Sequence, residues 1–266
     1  RVVKHVGTLE TCMNGDVTRN FRMKNGFCGD ADGLYKIVPG KSFEKLGYDF
    51  NENGLTIKKL LEINNVKAYV NCPMRMMSFY KDIKPLFKGT KFKYLVSGSQ
   101  FGLVTNIIHF LDHISFLNEN SEYKANADFL DKEIIKSKRN GFYELNGSFQ
   151  VNFKNGTQGF FNCDSTGNAP IIVQAFNSKV HFISMESEGK VLISKAQNDW
   201  KWEEITFNIP FQSQLSTVLV ESLFDNNTCL LPTYEESMKI HLPYLDSLLN
   251  FVNDNDELKF DLYPFT

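Results

Sequence analysis

The chain has 266 residues, a formal charge of -2 and 42% hydrophobic residues. That is one large domain or two small ones, with enough apolar material for a real core. The balanced charge makes no electrostatic case for nucleic acid or an anionic membrane, and no apolar run approaches the roughly 20 residues that span a bilayer.

Residues 1–40 hold scattered turn signals, Asn14-Gly15-Asp16, Lys24-Asn25-Gly26 and Gly29-Asp30-Ala31-Asp32-Gly33, and one short apolar strand at Tyr35-Lys36-Ile37-Val38. From Asn51 the pattern becomes regular. Asn51 or Asn53 caps a helix over 55–64, which Asn64-Asn65 ends. A strand follows at 66–70, a helix at 78–87 stopped by Gly89, and a second strand at 92–96. This alternation is that of an α/β layer. Residues 103–117 are apolar around most of the helical circumference and predict a buried helix.

Past a polar connection the texture changes to short strands at 141–150, 151–154, 159–162, 171–176, 180–185 and 191–194, with a further strand around Trp200–Ile209. The succession predicts an antiparallel meander with one face covered. Two closing helices are expected at 214–224 and 234–253, the second capped by Thr233 with Glu235 and Glu236 in its first turn. The fold class is therefore α+β: a remnant α/β layer, then a large, mostly antiparallel open sheet flanked by helices. The expected division falls between 1–72 and 73–266.

Five widely spaced cysteines, Cys12, Cys28, Cys72, Cys163 and Cys229, without a CxxC pair, point to reduced thiols in a cytoplasm rather than a disulfide framework or structural zinc. Arg1-Val2-Val3-Lys4-His5 lacks the apolar core of a secretory signal. Asn146-Gly-Ser, Asn155-Gly-Thr and Asn226-Asn-Thr are glycosylation sequons, but the Asn-Gly pairs read more simply as hairpin turns.

Three clusters carry candidate chemistry. Gly40-Lys41-Ser42-Phe43-Glu44-Lys45 precedes a helix; a lysine there orients a substrate hydroxyl, or is simply solvated. Asn71-Cys72-Pro73-Met74-Arg75-Met76 follows a strand, where α/β sheets place ligands. Arg75 binds a carboxylate or phosphate bidentately, or forms a surface ion pair. In Gly102–His113, helical spacing places Thr105, His109 and Asp112 together, and Asn106 shares a face with His109. His109 reads as a satisfied core histidine or as a general acid/base, with a zinc site shared with His113 as a third reading.

In order and spacing these clusters resemble the Gfo/Idh/MocA family of sugar oxidoreductases. Gly40–Lys45 is similar to that family's Glu-Lys-Pro segment. Met74-Arg75-Met76 and Tyr80-Lys81-Asp82-Ile83-Lys84 resemble its arginine-bearing loop and helix. Phe101–Asp112 resembles its His-x-x-Asp helix, in the form found in a branch from bacterial surface-polysaccharide gene clusters. Arg139–Glu144, Pro210–Gln214 and Leu231–Glu236 also look like that branch.

The resemblance implies an NAD- or NADP-dependent enzyme acting on a sugar or sugar nucleotide, homodimeric or homotetrameric. It makes Lys45 and His109 catalytic, Arg75, Thr105, Asn106 and Asp112 substrate-side, and Glu44 and Lys45 cofactor-side. No metal is implied. Three departures stand against it: Leu46 replaces the proline after Lys45, Thr105 replaces the carboxylate that many members carry four residues before the histidine, and no GxGxxG occurs. Those departures motivate an alternative, a non-catalytic carbohydrate-binding or dimerisation module, and behind it an unrelated α+β binding protein.

Overall fold

The computed structural model describes residues 27–30, 33–36, 44–45, 58, 61–62, 65–137, 142–210, 212–226, 229–255, 259–260 and 263–265. The predicted cap at Asn51 or Asn53, most of the 55–64 helix and Gly40–Phe43 lie outside the described residues. The chain divides into two units, one of residues 1–72, 210–238 and 261–263, the other of 73–209, 239–260 and 264–266.

In the first unit, strands β1 (Phe27–Asp30), β2 (Gly33–Lys36) and β3 (Glu44–Lys45) form an antiparallel sheet in sequence order. Lys58, Leu61 and Glu62 are helical. The helix stops where the sequence places its end. Asn65 takes a left-handed φ of 50° and donates to Glu62 O at 3.1 Å, while Val66 N–H reaches Leu61 O at 2.9 Å, the paired bonds of a Schellman stop. Residues 66–70 do not form the expected strand. Tyr69 makes only an isolated bridge to Thr233, flanked by Val70 N–H to Pro232 O and Tyr234 N–H to Ala68 O, both 2.9 Å. The alternation was right for an extended chain but had a turn, not a sheet edge, for a partner. Helix α3 (Gln212–Asn226) belongs here, as does the start of α4 (Tyr234–Asn255). Thr233 caps α4 reciprocally with Glu236: Thr233 N–H to Glu236 Oε2 is 2.8 Å and Glu236 N–H to Thr233 Oγ1 is 3.2 Å.

The second unit opens with a single 3₁₀ turn, Pro73–Met76, and helix α1 (Ser78–Phe87). Next come β4 (Lys93–Ser99) and α2 (Leu103–Asn118). The remaining strands are β5 (Tyr123–Leu130), β6 (Ile135–Lys136), β7 (Tyr143–Glu144), β8 (Gly147–Phe153), β9 (Gln158–Asp164), β10 (Ile172–Phe176), β11 (Val180–Met185), β12 (Lys190–Lys195) and β13 (Trp202–Thr206). Eight of them build one sheet in the order β13-β12-β11-β10-β4-β9-β8-β5, and β6 and β7 pair separately. Every neighbour in the large sheet is antiparallel except β4 and β9, which run parallel from Lys93↔Gln158 to Ser99↔Asp164.

Strand alternation sorts the two faces. Tyr94, Val96, Phe149, Phe161, Val173, Phe182, Val191 and Ile193 are buried on the helix side. There Phe79 and Phe87 of α1 meet Phe182 at 5.6 and 5.8 Å between ring centroids, and Tyr244 of α4 meets Phe149 at 5.5 Å. The opposite face is open at one end, with Phe176, Trp200 and Trp202 exposed.

Three expectations change. Strand β5 falls in what reads as a polar connection; it is the sheet's edge, and a bulge between Asn126 and Phe129 breaks its alternation. The two strands expected at 141–154 are one strand, β8, preceded by the two-residue β7. Asn155-Gly156 is the β8–β9 turn, with Gly156 at φ 88° and Gly156 N–H on Phe153 O at 2.9 Å. Asn146-Gly147 is not a hairpin turn. Gly147 opens β8 at φ 97°, and a Cβ there would sit 2.6 Å from the Asp131 backbone nitrogen.

Candidate functional site

Helix α2 is buried almost all round, as its composition requires. Leu103, Val104, Ile107, Ile108, Phe110, Leu111, Asp112, His113 and Ile114 are buried, whereas Thr105, Asn106 and His109 stay half-buried. At helical spacing those three form one stripe, so the first two turns of α2 offer solvent only polar, chemistry-bearing side chains.

Asp112, one turn past His109, points inward to an ion pair. Arg75 Nε donates to Asp112 Oδ2 at 2.8 Å, and Arg75 Nη2 donates to Asp112 Oδ1. Both side chains are out of water, at 12% and 2% exposure. The guanidinium also lies over the Phe116 ring, 5.5 Å from its centroid. Arg75 thus docks the Pro73–Met76 turn onto α2. Of the two readings left open at Arg75, the structure displays an ion pair, in a buried rather than a surface form.

His113 lies on the buried side of the same helix. Its Nδ1 is 2.8 Å from the Tyr94 hydroxyl, and its ring packs 4.1 Å from that of Tyr80. Burial, with the Arg75 charge nearby, pushes its pKa down to about 3, so the ring is neutral near pH 7. Tyr80 in turn donates to Glu186 Oε1 at 2.5 Å and lies 3.1 Å from Ser184 Oγ. Burial raises the Glu186 carboxyl and the Tyr80 hydroxyl above their ordinary values. His113, Tyr94, Tyr80, Ser184 and Glu186 form one hydrogen-bonded and packed cluster. Among the described residues no group of three His, Cys, Asp or Glu side chains is placed to hold a metal ion.

One residue escaped the sequence reading as a site. Gly102, the N-cap of α2, is left-handed at φ 72° and offers no capping side chain. Glu144, on β7, fills the gap. Its Oε1 accepts Val104 N–H at 2.6 Å and Leu145 N–H at 3.1 Å, and its Oε2 accepts Thr105 Oγ1–H at 3.2 Å. Burial pushes its carboxyl up, against the downward pull of these bonds. The signal available was indirect: a buried helix with glycine at its N-cap requires an acceptor from elsewhere. Asn106 completes the turn by donating Nδ2–H to Phe101 O at 2.5 Å and to Gly102 O at 3.1 Å. The Tyr244 hydroxyl donates to Val104 O.

The structure therefore gathers Arg75, Thr105, Asn106, His109 and Asp112 on or against α2. Glu44 and Lys45 are in the other unit, on β3, paired with Lys36 and Tyr35.

Solved structures share this architecture. UDP-N-acetylglucosamine 3-dehydrogenase GnnA from Acidithiobacillus ferrooxidans superposes with a TM-score of 0.59 at 7% identity, over 77% of this chain and 68% of that one. Levoglucosan dehydrogenase in complex with NADH gives 0.57 at 10% identity, over 81% and 71%. A super-repressor mutant of Gal80p from Saccharomyces cerevisiae gives 0.52 at 11% identity, over 78% and 70%. No family model matches the chain, and no curated protein matches it in sequence. The fold is shared with these dehydrogenases and with Gal80p.

Proposed function

We propose that the chain is an NAD(P)-dependent oxidoreductase acting on a hydroxyl or carbonyl of a sugar or sugar nucleotide, in the cytoplasm and in surface-polysaccharide biosynthesis. The observation that carries this reading is the part-exposed stripe Thr105–Asn106–His109 on an otherwise buried helix, in a fold shared with sugar dehydrogenases. His109 exchanges a proton with the reacting oxygen, a role suited to an imidazole at neutral pH. Thr105 and Asn106 position the sugar. Asp112 and Arg75 hold the helix from behind, and Arg75 acts on the substrate through that helix. Lys45 supplies a positive charge beside the reacting carbon, with Glu44 next to it on the cofactor side.

Two of the helix N-termini that could receive a dinucleotide's phosphates are already filled from within the chain, whereas that of α1 has no side-chain cap. Glu144 fills the N-terminus of α2, and Thr233 and Glu236 fill that of α4. On this reading Glu44 and Lys45 lie on the cofactor side. A homodimer or homotetramer, formed through the open sheet face that carries Trp202, belongs to the same proposal.

The test is titration of the chain with NADH and NADPH, following energy transfer from Trp200 and Trp202. Saturable micromolar binding, and loss of sugar turnover in His109→Ala, support the reading. No binding to folded protein, or unchanged turnover in His109→Ala, rejects it. One observation favours a second reading, a non-catalytic carbohydrate-binding or dimerisation module: a solved structure of the same fold is described as a repressor mutant. Hydride transfer by the purified chain excludes that alternative.

A further inference from the structure

The first turn of α2 has an unusual electrical arrangement. A helix N-terminus carries unsatisfied N–H groups and a partial positive charge, and it ordinarily attracts a ligand's anion. Here the anion is internal. Glu144 arrives from β7, some forty positions along the chain, and puts one carboxylate oxygen on Val104 N–H at 2.6 Å and the other on the Thr105 hydroxyl at 3.2 Å. The residue it displaces is the helix's own N-cap: Gly102 has no side chain to offer, and a Cβ there would lie 3.4 Å from Glu144 Oε2 and 3.3 Å from Asn106 Nδ2.

Asn106 adds an independent constraint. Its Nδ2 donates to Phe101 O and to Gly102 O, so both amide protons are engaged and the remaining polar atom, Oδ1, only accepts. The Arg75 guanidinium, further along the helix, is engaged with Asp112. The turn therefore pairs a carboxylate with an amide oxygen and leaves a ligand to bring the donors.

We propose that Glu144 is a positioning residue and fixes the polarity of this site. By closing the helix N-terminus with its own carboxylate, it makes the Thr105–Asn106 turn take hydroxyl donors of a neutral sugar ring and turn away phosphate or carboxylate groups. This rests on the sugar reading above and deepens it. If the substrate is a sugar nucleotide, its diphosphate lies away from this end of α2 and its ring lies against it. Glu144 sets the turn that begins the helix, so it also sets the position of His109 one turn later.

The experiment compares the full chain with Glu144→Gln and Glu144→Ala, following the backbone amides of Val104 and Thr105 by NMR. Two titrations are made on each protein, one with pH and one with inorganic sulfate, and neither needs a known substrate or any activity. In the wild type the Val104 amide follows a carboxylate titration with a midpoint above the ordinary glutamate value, and sulfate leaves it unmoved. In Glu144→Gln, which keeps an oxygen for Val104 N–H and so keeps the fold, that titration disappears. In Glu144→Ala the bare helix end responds to millimolar sulfate at Val104 and Thr105. Sulfate shifts of equal size in the wild type and Glu144→Ala would overturn the proposal, as would a Val104 titration that persists in Glu144→Gln. Should Glu144→Ala not fold, Glu144→Gln decides alone. A purely structural cap would lower the melting temperature without creating a sulfate response. Failure of the oxidoreductase reading, with no cofactor bound and no turnover, would leave these amide measurements standing and is told apart by them.

Discussion

His113 gives the sharpest quantitative test of the core beneath α2. It is fully buried, its Nδ1 faces the Tyr94 hydroxyl at 2.8 Å, and its pKa falls from 6.5 to about 3. The folded state then holds a neutral ring while the unfolded state takes up a proton below pH 6.5. Stability is complete above the unfolded value and drains away as pH falls toward the folded one. Between about pH 7.5 and 4.5 the loss is roughly 2.5 kcal/mol by linkage, or about 5–10 °C in melting temperature for a chain of this size. The perturbation is His113→Gln, which keeps a polar group near Tyr94 and does not titrate.

Urea unfolding of both proteins across that interval supplies the assay. Glu144 and Glu186 have raised carboxyls and so act with the opposite sign, gaining stability as they protonate. Glu144 cancels in the difference, whereas Glu186 shares the Tyr80 network with His113, so the comparison is repeated in a Glu186→Gln background. The wild type should lose about 2.5 kcal/mol more than the variant on acidification. Parallel curves would refute the argument, because they would mean that His113 is charged in the fold or that its burial carries no cost.

Two further expectations follow from local geometry. Arg75→Met removes the charge paired with the Asp112 carboxylate, 2% exposed, and should cost about 3–5 kcal/mol in urea unfolding, with part regained in the double variant that also carries Asp112→Leu; a loss under about 1 kcal/mol would place the pair among surface ion pairs. Gly147→Ala combines φ 97° with a Cβ 2.6 Å from the Asp131 nitrogen and should cost roughly 2–4 kcal/mol. Gly156→Ala, at φ 88° with its nearest neighbour at 3.7 Å, should cost only about 1–2 kcal/mol; equal losses would mean that strain alone decides both.

What could be read beforehand was what depends on near neighbours. Helix α1 begins at Ser78 and ends at Phe87, and α2 covers 103–118, because a 3.6-residue apolar rhythm is written within each segment. The stripe of Thr105, Asn106 and His109 was legible for the same reason: in a helix meant for burial, polar residues stand out. Arg75 and Asp112 were each selected, but not as a pair, since nothing local joins residues 37 positions apart. Glu144 was read as part of a motif and not as a site, because its partners are chiefly backbone amides, which have no sequence signature. Strand β5 was lost because an edge strand is wetter and more irregular than its neighbours, and the 66–70 strand was over-read because extended chain need not join a sheet.

The parallel pair β4–β9 bears on how the protein is made. Without β4, the large sheet falls into two ribbons, β5-β8-β9 and β10-β11-β12-β13, and β4 joins them by pairing Lys93 with both Gln158 and Phe176. Yet of the strands in that sheet β4 leaves the ribosome first. At synthesis rates of roughly 5–20 residues per second, β4 waits about 4–15 s before its second neighbour, β10, is made, and α2 waits longer for Tyr244. During that interval α2, the most apolar of the described helices, has no completed sheet to cover it, so the nascent protein is a natural client for chaperones that hold apolar segments until the sheet is seated.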